Sequence, residues 1–187
     1  MPNLNKKLWK LKAPVKIKVF LWYLGKGVIL TKDNLAKRNW QGDKTCCYCH
    51  EPETIRHLFF DCRSARMVWN LIHLATDISS PTGVENMFGS WLTNFDNHFR
   101  ALALLGAAST VWSIWQNRND IVFEKKLCTS PLQVIFTIIH WLRIWATLQR
   151  EDMRHALVEA TQHLAQVAKD FFLHAHGWRS SRRIDSH

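Results

Sequence analysis

Apolar residues recur at three- and four-residue intervals over much of the chain, which predicts a mainly α-helical protein. The clearest case is the stretch SARMVWNLIHLA, whose apolar positions repeat on one helical face: Ala65, Val68, Trp69, Ile72 and Ala75. Similar patterns predict helices at about 91–116, 131–149 and 151–175. We expect the first of these to be interrupted near Asp96 and the last to be closed by Gly177.

The pattern near the start of the chain, APVKIKVFLWYLGKG, is less decisive. Pro14 suits the start of a helix, and Gly25 and Gly27 suit its end. In that helix one face carries the large apolar side chains: Ile17, Phe20, Leu21 and Leu24. Residues 15–19 also alternate like a strand, so the pattern favours a helix without excluding a strand. Farther on, Thr31 is a suitable N-cap, with Asp33 in the first turn.

A stretch with turn-forming residues divides the chain into two predicted parts. The stretch TDISSPTGVENMFGS, residues 76–90, holds Pro81 and Gly83 with weak periodicity, which is typical of a linker. We therefore expect a domain over 1–75, a linker over 76–90 and an α-helical region over 91–187. The longest uncharged run, 101–117, contains Gly106 and several hydroxyl residues, which favours a buried core helix over a membrane span.

Charge is distributed unevenly over the 187 residues. The net charge is +10, and residues 1–45 hold eleven basic and two acidic residues, a net charge of +9. A basic segment of this kind favours a polyanionic partner such as RNA or DNA. The candidate phosphate contacts are the lysines nearest the start: Lys6, Lys7, Lys10, Lys12, Lys16 and Lys18. Aromatic side chains interleave with them and are candidates for base stacking.

Next to the basic segment, the stretch TCCYCHEPETIRHLFFDC contains four of the five cysteines. Its spacing predicts a metal site of Cys46, Cys49, His57 and Cys62, because three thiolates and one imidazole form a closed tetrahedral set typical of structural Zn²⁺. On an ideal α-helix, residues five apart diverge by about 140°. We therefore expect the helix to end or bend between His57 and Cys62, with Ser64 as N-cap of the next helix.

The residues alone leave the ligand set open at two positions. Cys47 could pair with Cys49, and His50 could replace one of the predicted ligands. A redox CxxC is disfavoured because no βαβ pattern surrounds it, and the order of residues does not fit a zinc deaminase. The other histidines show no shared metal-binding spacing.

Two quoted stretches carry a resemblance to a known family. LWKLKAPVKIKVFLWYLGKGVILTKDNLAKRNW and CCYCHEPETIRHLFFDCRSARMVW resemble the zinc-binding domain that follows the reverse transcriptase in plant non-LTR (LINE-type) retrotransposons. The resemblance places Cys46, Cys49, His57 and Cys62 as ligands, and Glu53 among the scaffold positions. VWSIWQNRNDIVFEKK, residues 111–126, is similar to a W-x-x-W-x-x-R-N-x-x-V-F segment found near the C-termini of the same polyproteins.

The resemblance implies a non-catalytic, zinc-binding and nucleic-acid-binding module from the C-terminus of such a polyprotein. A polymerase would need paired metal-binding carboxylates, and the sequence has no Tyr-x-Asp-Asp hairpin. The alternative is a zinc-braced helical scaffold that binds protein, either a reverse transcriptase domain or a second copy of itself, without nucleic acid. We expect an intracellular protein, nuclear or cytoplasmic, with no membrane partner.

Overall fold

The computed structural model describes residues 8–93, 95–124 and 130–176. Lys6, Lys7 and Gly177, for which predictions were made, lie outside these residues. Within the described part the protein is mainly α-helical and contains no β-strand, only an isolated antiparallel bridge between Thr45 and Pro52. The predicted fold class is therefore confirmed.

The helices that surround the cysteine-rich loop are short. Helix α1 spans Val15–Gly25 and α2 spans Lys32–Ala36. A single π-helical turn, His57–Asp61, leads directly into α3, Arg63–Thr76. Helix α1 buries the apolar face predicted for it, so the strand alternative for residues 15–19 is wrong. Thr31 occupies the N-cap of α2 as predicted, although its hydroxyl donates to the Asp33 carboxylate instead of accepting from the backbone.

Longer helices follow. Two short ones, α4 (Val84–Phe88) and α5 (Ser90–Thr93), precede α6 (Asn97–Phe123), α7 (Pro131–Ala146) and α8 (Glu151–His176). The predicted break near Asp96 is present: the Asp96 carboxylate is the N-cap of α6 and accepts hydrogen bonds from the backbone N–H groups of His98 and Phe99, both at 2.8 Å. Helix α6 extends seven residues beyond its predicted end.

The core runs through both halves of the chain. Helix α7 packs against α3, α6 and α8, and α8 also packs against α3. In addition, α1 packs on α4 and α6, and the π-helical turn also contacts α6. The Phe20 ring from α1 lies 5.1 Å from the Trp112 ring and 5.9 Å from the Trp115 ring, both on α6. Helix α6 is therefore a shared packing surface for α1 and the π-helical turn.

No helix among the described residues is long and apolar enough to cross a membrane.

Candidate metal centre

The four predicted ligands lie together at one point of the fold. Cys46, Cys49, His57 and Cys62 form a group whose ligand atoms all lie within 4.8 Å of one another. Cys46 and Cys62 are buried, and Cys49 and His57 are half-buried. Cys47 and His50 are outside this group, so among the described residues the structure favours the 46/49/57/62 arrangement over the alternatives that the sequence left open.

The distances within the group fit a tetrahedral ion. The Cys46 and Cys62 sulfurs are 3.9 Å apart, those of Cys49 and Cys62 are 3.7 Å apart, and the Cys49 sulfur is 3.1 Å from His57 Nε2. With metal–sulfur bonds of about 2.3 Å and a metal–nitrogen bond of about 2.0 Å, a tetrahedron has S–S edges of about 3.8 Å and S–N edges of about 3.5 Å. The two sulfur–sulfur distances thus match those of a metal site, and the imidazole nitrogen lies slightly closer to the Cys49 sulfur than the tetrahedron requires. These residues fit a metal ion.

A tight loop presents the first two sulfurs. The bridge between Thr45 and Pro52 closes this loop, and Cys46 N–H donates to the Glu51 carbonyl at 2.6 Å. His50 adopts a left-handed conformation, φ 63°, and its N–H donates to the Cys46 carbonyl. The Tyr48 backbone N–H donates to the Cys46 sulfur, with 3.5 Å between the nitrogen and the sulfur. Such donors stabilise a thiolate ligand.

The π-helical turn brings His57 and Cys62 together, although residues five apart would point in different directions on an α-helix. The Cys62 N–H donates to the His57 carbonyl at 2.7 Å, an i→i+5 bond that brings residues five apart to one side. The Thr54 hydroxyl accepts from the His57 N–H, and the Trp69 indole donates to the Phe59 carbonyl at 2.8 Å. The predicted N-cap at Ser64 is wrong: Cys62 itself has extended backbone and is the N-cap of α3, because the chain must turn at the ligand.

Without a metal the buried thiols are held in the protonated state. The hydrogen bond with Cys47, which favours the protonated thiol, raises the pKa of Cys46 to about 12, and burial acts in the same direction. Its hydrogen bond with Cys46, together with burial, raises the pKa of Cys62 as well. Metal binding at this site must therefore expel protons.

Two contacts attach residues 45–53, which we call the metal loop, to α6. The Tyr48 hydroxyl donates to Asn117 Oδ1 at 2.8 Å. The Glu53 carboxylate pairs with Arg118, from Nη2 to Oε1 at 2.7 Å and from Nε to the two oxygens at 3.2 and 3.3 Å. Both side chains of this pair are 0% exposed. Sequence reasoning placed Glu53 and Arg118 in two separate motifs and did not connect them.

The same carboxylate organises α2. Glu53 Oε1 accepts from the Lys32 N–H at 2.8 Å, satisfying a donor in the first turn of that helix. The Lys32 ammonium, also buried, donates to the Asp43 carboxylate at 3.0 Å and to the Thr45 carbonyl at 2.6 Å. The Thr45 N–H and Lys32 lower the pKa of Asp43 to about 2. The Lys32 ammonium thus has a structural role: it fixes residues 43–45, which lead directly into Cys46.

The predicted phosphate-binding lysines have different environments. Lys10 and Lys12 are exposed. Lys16 is also exposed, but its ammonium lies 5.7 Å from the Trp112 ring centre and 5.0 Å from that of Trp141. The half-buried Lys18 donates to the Trp9 carbonyl at 3.3 Å. Of the six predicted lysines, these four lie in the described part: Lys16 and Lys18 on α1, and Lys10 and Lys12 in the residues before it.

Comparison with known proteins agrees with the site. Over 63 residues the chain is 29% identical to a ribonuclease H-like protein of Arabidopsis thaliana, a match that covers 33% of this chain and 10% of that protein. No solved structure matches the chain. A family model described as zinc-binding in reverse transcriptase matches residues 1–69, the segment that holds all four ligands. The N-terminal part of the chain, residues 1–69, is thus similar to the zinc-binding domain of reverse transcriptases, in agreement with the resemblance seen in the sequence.

Proposed function

We propose that this protein is a non-catalytic nucleic-acid-binding module whose N-terminal segment is held in shape by Zn²⁺. The observation that carries the proposal is the position of the charge: the excess of basic residues lies in the segment that the metal centre and α6 hold together. Its exposed cations include Lys10, Lys12, Lys16 and Lys26. Cations fixed on a folded surface bind phosphates with less loss of chain entropy than the same cations on an unfolded tail.

Zinc is the ion that the donor set favours. Thiolate ligands bind Zn²⁺ in preference to Mg²⁺ or Ca²⁺, and a closed tetrahedral set is typical of a structural site. Four protein ligands leave no position for a substrate, which supports a structural role. The curated relative has ribonuclease H in its name, but the match spans only 10% of its length. We therefore propose no nuclease activity for this chain.

The setting of the module follows from the same features. We infer an intracellular protein, in the nucleus or the cytoplasm, because reduced cysteines are needed to hold the metal. The partner is RNA or DNA, as in a module that holds nucleic acid for a reverse transcriptase.

Salt titration of binding to a single-stranded RNA tests the proposal. If five phosphates are contacted, a plot of log affinity against log salt concentration has a slope of about −3.5. The metal-loaded full-length chain is the sample, and fluorescence anisotropy of a labelled oligonucleotide is the readout. Absence of binding at low salt, or an affinity independent of salt, would overturn the proposal.

A second candidate function is a protein-interaction scaffold. One observation favours it: Phe136, Ile144 and Leu148 are 47%, 41% and 48% exposed and repeat at multiples of four along and just beyond α7. Such an apolar row suits a reverse transcriptase domain or a second copy of this chain. Sedimentation at high salt separates the two functions, because apolar self-association persists there and phosphate binding does not.

A further inference from the structure

Helix α1 is apolar on the side that faces solvent as well as on the side that faces the core. Its buried positions are Ile17, Phe20, Leu21 and Leu24. On the opposite side Val15, Val19 and Tyr23 are 67%, 36% and 45% exposed. A helix at the surface of a soluble protein normally carries polar residues there. We call the solvent-facing side the outer face of α1: Val15, Lys18, Val19, Trp22, Tyr23 and Lys26.

The aromatic part of the outer face is held in place. The half-buried Trp22 ring meets the Tyr23 ring edge to face, with 5.1 Å between the ring centres and 66° between the planes. The Lys26 ammonium lies 5.9 Å from the centre of the Trp22 ring. The Trp22 ring therefore packs against both the core and Tyr23, and it restricts the orientation of the exposed phenol ring. A fixed, exposed aromatic ring is the element on which nucleic acid bases stack.

A second exposed aromatic ring lies beyond the other end of the helix. Trp9 is 51% exposed, and its carbonyl accepts from the Lys18 ammonium at 3.3 Å. Lys18 and Lys26 are eight residues apart on α1 and its C-cap, a rise of about 12 Å. Helix α1 itself contains no acidic residue. Along the chain, the exposed aromatic residues Trp9 and Tyr23 thus alternate with Lys18 and Lys26.

This alternation suits unpaired bases on a phosphate backbone. A duplex presents phosphates, but its bases are stacked on one another and give Tyr23 and Trp9 nothing to contact. A single strand can place bases on the aromatic rings while its phosphates meet the lysines. The valines between the rings contact base and sugar surface that a single strand exposes.

We propose that the outer face of α1, with Trp9 beside it, binds single-stranded RNA or DNA by stacking bases on Tyr23 and Trp9 and pairing phosphates with Lys18 and Lys26. The inference rests on the proposed function and specifies its substrate class. Its consequence is a preference for single strands over duplexes of the same sequence, together with different roles for the aromatic and basic side chains.

The test uses metal-loaded full-length protein and three fluorescent probes of one mixed sequence: a 12-nucleotide RNA, the matching DNA strand and the 12-base-pair RNA duplex. Tyr23→Ala should weaken single-strand binding about tenfold or more and leave the salt slope and the duplex affinity unchanged. Tyr23→Phe should retain the wild-type affinity. Lys18→Ala should reduce the steepness of the salt slope by about 0.7. Phe171→Ala, a change of an aromatic side chain that is 39% exposed on α8, is the matched control and should change nothing.

The outcomes separate this inference from the proposed function. If single strands and duplex bind equally and Tyr23→Ala has no effect, the inference is wrong and the proposed function stands. If no probe binds at all, both fail. Self-association that Tyr23→Ala abolishes, without strand binding, also overturns the inference. Tighter binding of either the RNA or the DNA strand relative to the duplex supports it, and the tighter of the two identifies the strand.

Discussion

Replacing Arg118 with methionine tests whether the metal loop and α6 form one cooperative unit. The Arg118 guanidinium is fully buried, makes three short contacts with Glu53 and lies 5.0 Å from the Trp115 ring and 5.3 Å from the Phe123 ring. Methionine keeps much of the stem and its packing, so the change removes mainly the charge. The Glu53 carboxylate then remains 0% exposed, with the Lys32 N–H as its nearest donor.

The size of the effect follows from the geometry. Two unit charges about 4 Å apart attract by about 4 kcal/mol at an effective dielectric constant of about 20. Losing one partner of a buried pair typically costs about 3–5 kcal/mol, because the other charge stays buried without compensation. Stability of the whole protein is on the order of 5–15 kcal/mol. We therefore expect Arg118→Met to remove a large part of the free energy of unfolding.

Urea unfolding followed by circular dichroism, with Zn²⁺ in excess, measures this loss. Glu53→Gln should cost about as much, since it leaves the Arg118 charge unpaired, while the double variant should cost clearly less than the sum of the two. Arg150→Met is the control: that side chain is 78% exposed, and its ion pair with Asp152 should contribute less than about 1 kcal/mol. Single-variant losses below about 1 kcal/mol that simply add would refute the reasoning.

Four further outcomes are expected. Elemental analysis should find one zinc per chain, lost in His57→Ala and retained in Cys47→Ser; loss in both variants would place Cys47 in the site. Because the pKa of Cys46 is raised to about 12 without metal, binding should release protons and the zinc affinity should fall as pH falls, as a competing chelator dye would report. Asp96→Ala should lower the free energy of unfolding by about 1 kcal/mol, and Asp96→Asn by much less, in the same urea assay. A fragment of residues 1–75, loaded with zinc, should unfold at a lower urea concentration than the N-terminal segment of the full chain; equal midpoints would show that α6 contributes nothing to it.

Local pattern was sufficient to predict most of the helices. Helices α3, α7 and α8 each bury a stripe at three- and four-residue spacing, which periodicity reveals directly. In α1 the same periodicity was obscured by alternating lysines, and burial of four apolar side chains decided for the helix. The short helix α4 was not predicted. Residues 76–90 were expected to be a linker because of Pro81 and Gly83, and this stretch contains α4 and the first residue of α5, with Met87 and Phe88 buried.

The candidate metal ligands could be identified from the sequence for a related reason. Cys46, Cys49, His57 and Cys62 lie within seventeen consecutive residues, so chelation by spacing could be argued without knowing the fold. The π-helical turn could not be predicted in detail, only the need for a bend. The ion pair between Glu53 and Arg118, which supports the site, could not be predicted from the sequence. The two residues are 65 positions apart, and no local pattern connects a carboxylate to a distant guanidinium.

The buried pair also changes how the two motif-bearing stretches are understood. The Glu53 carboxylate belongs to the stretch with the metal ligands, and Arg118 to the W-x-x-W-x-x-R-N-x-x-V-F stretch on α6. Phe20 and Phe59 of the N-terminal segment contact the Trp115 ring of that same helix. A metal ion fixes four side chains of a loop, but it cannot supply the apolar surface that those two rings need. Helix α6 supplies that surface and the countercharge for Glu53, so the zinc-binding segment depends on the helical region for part of its own core.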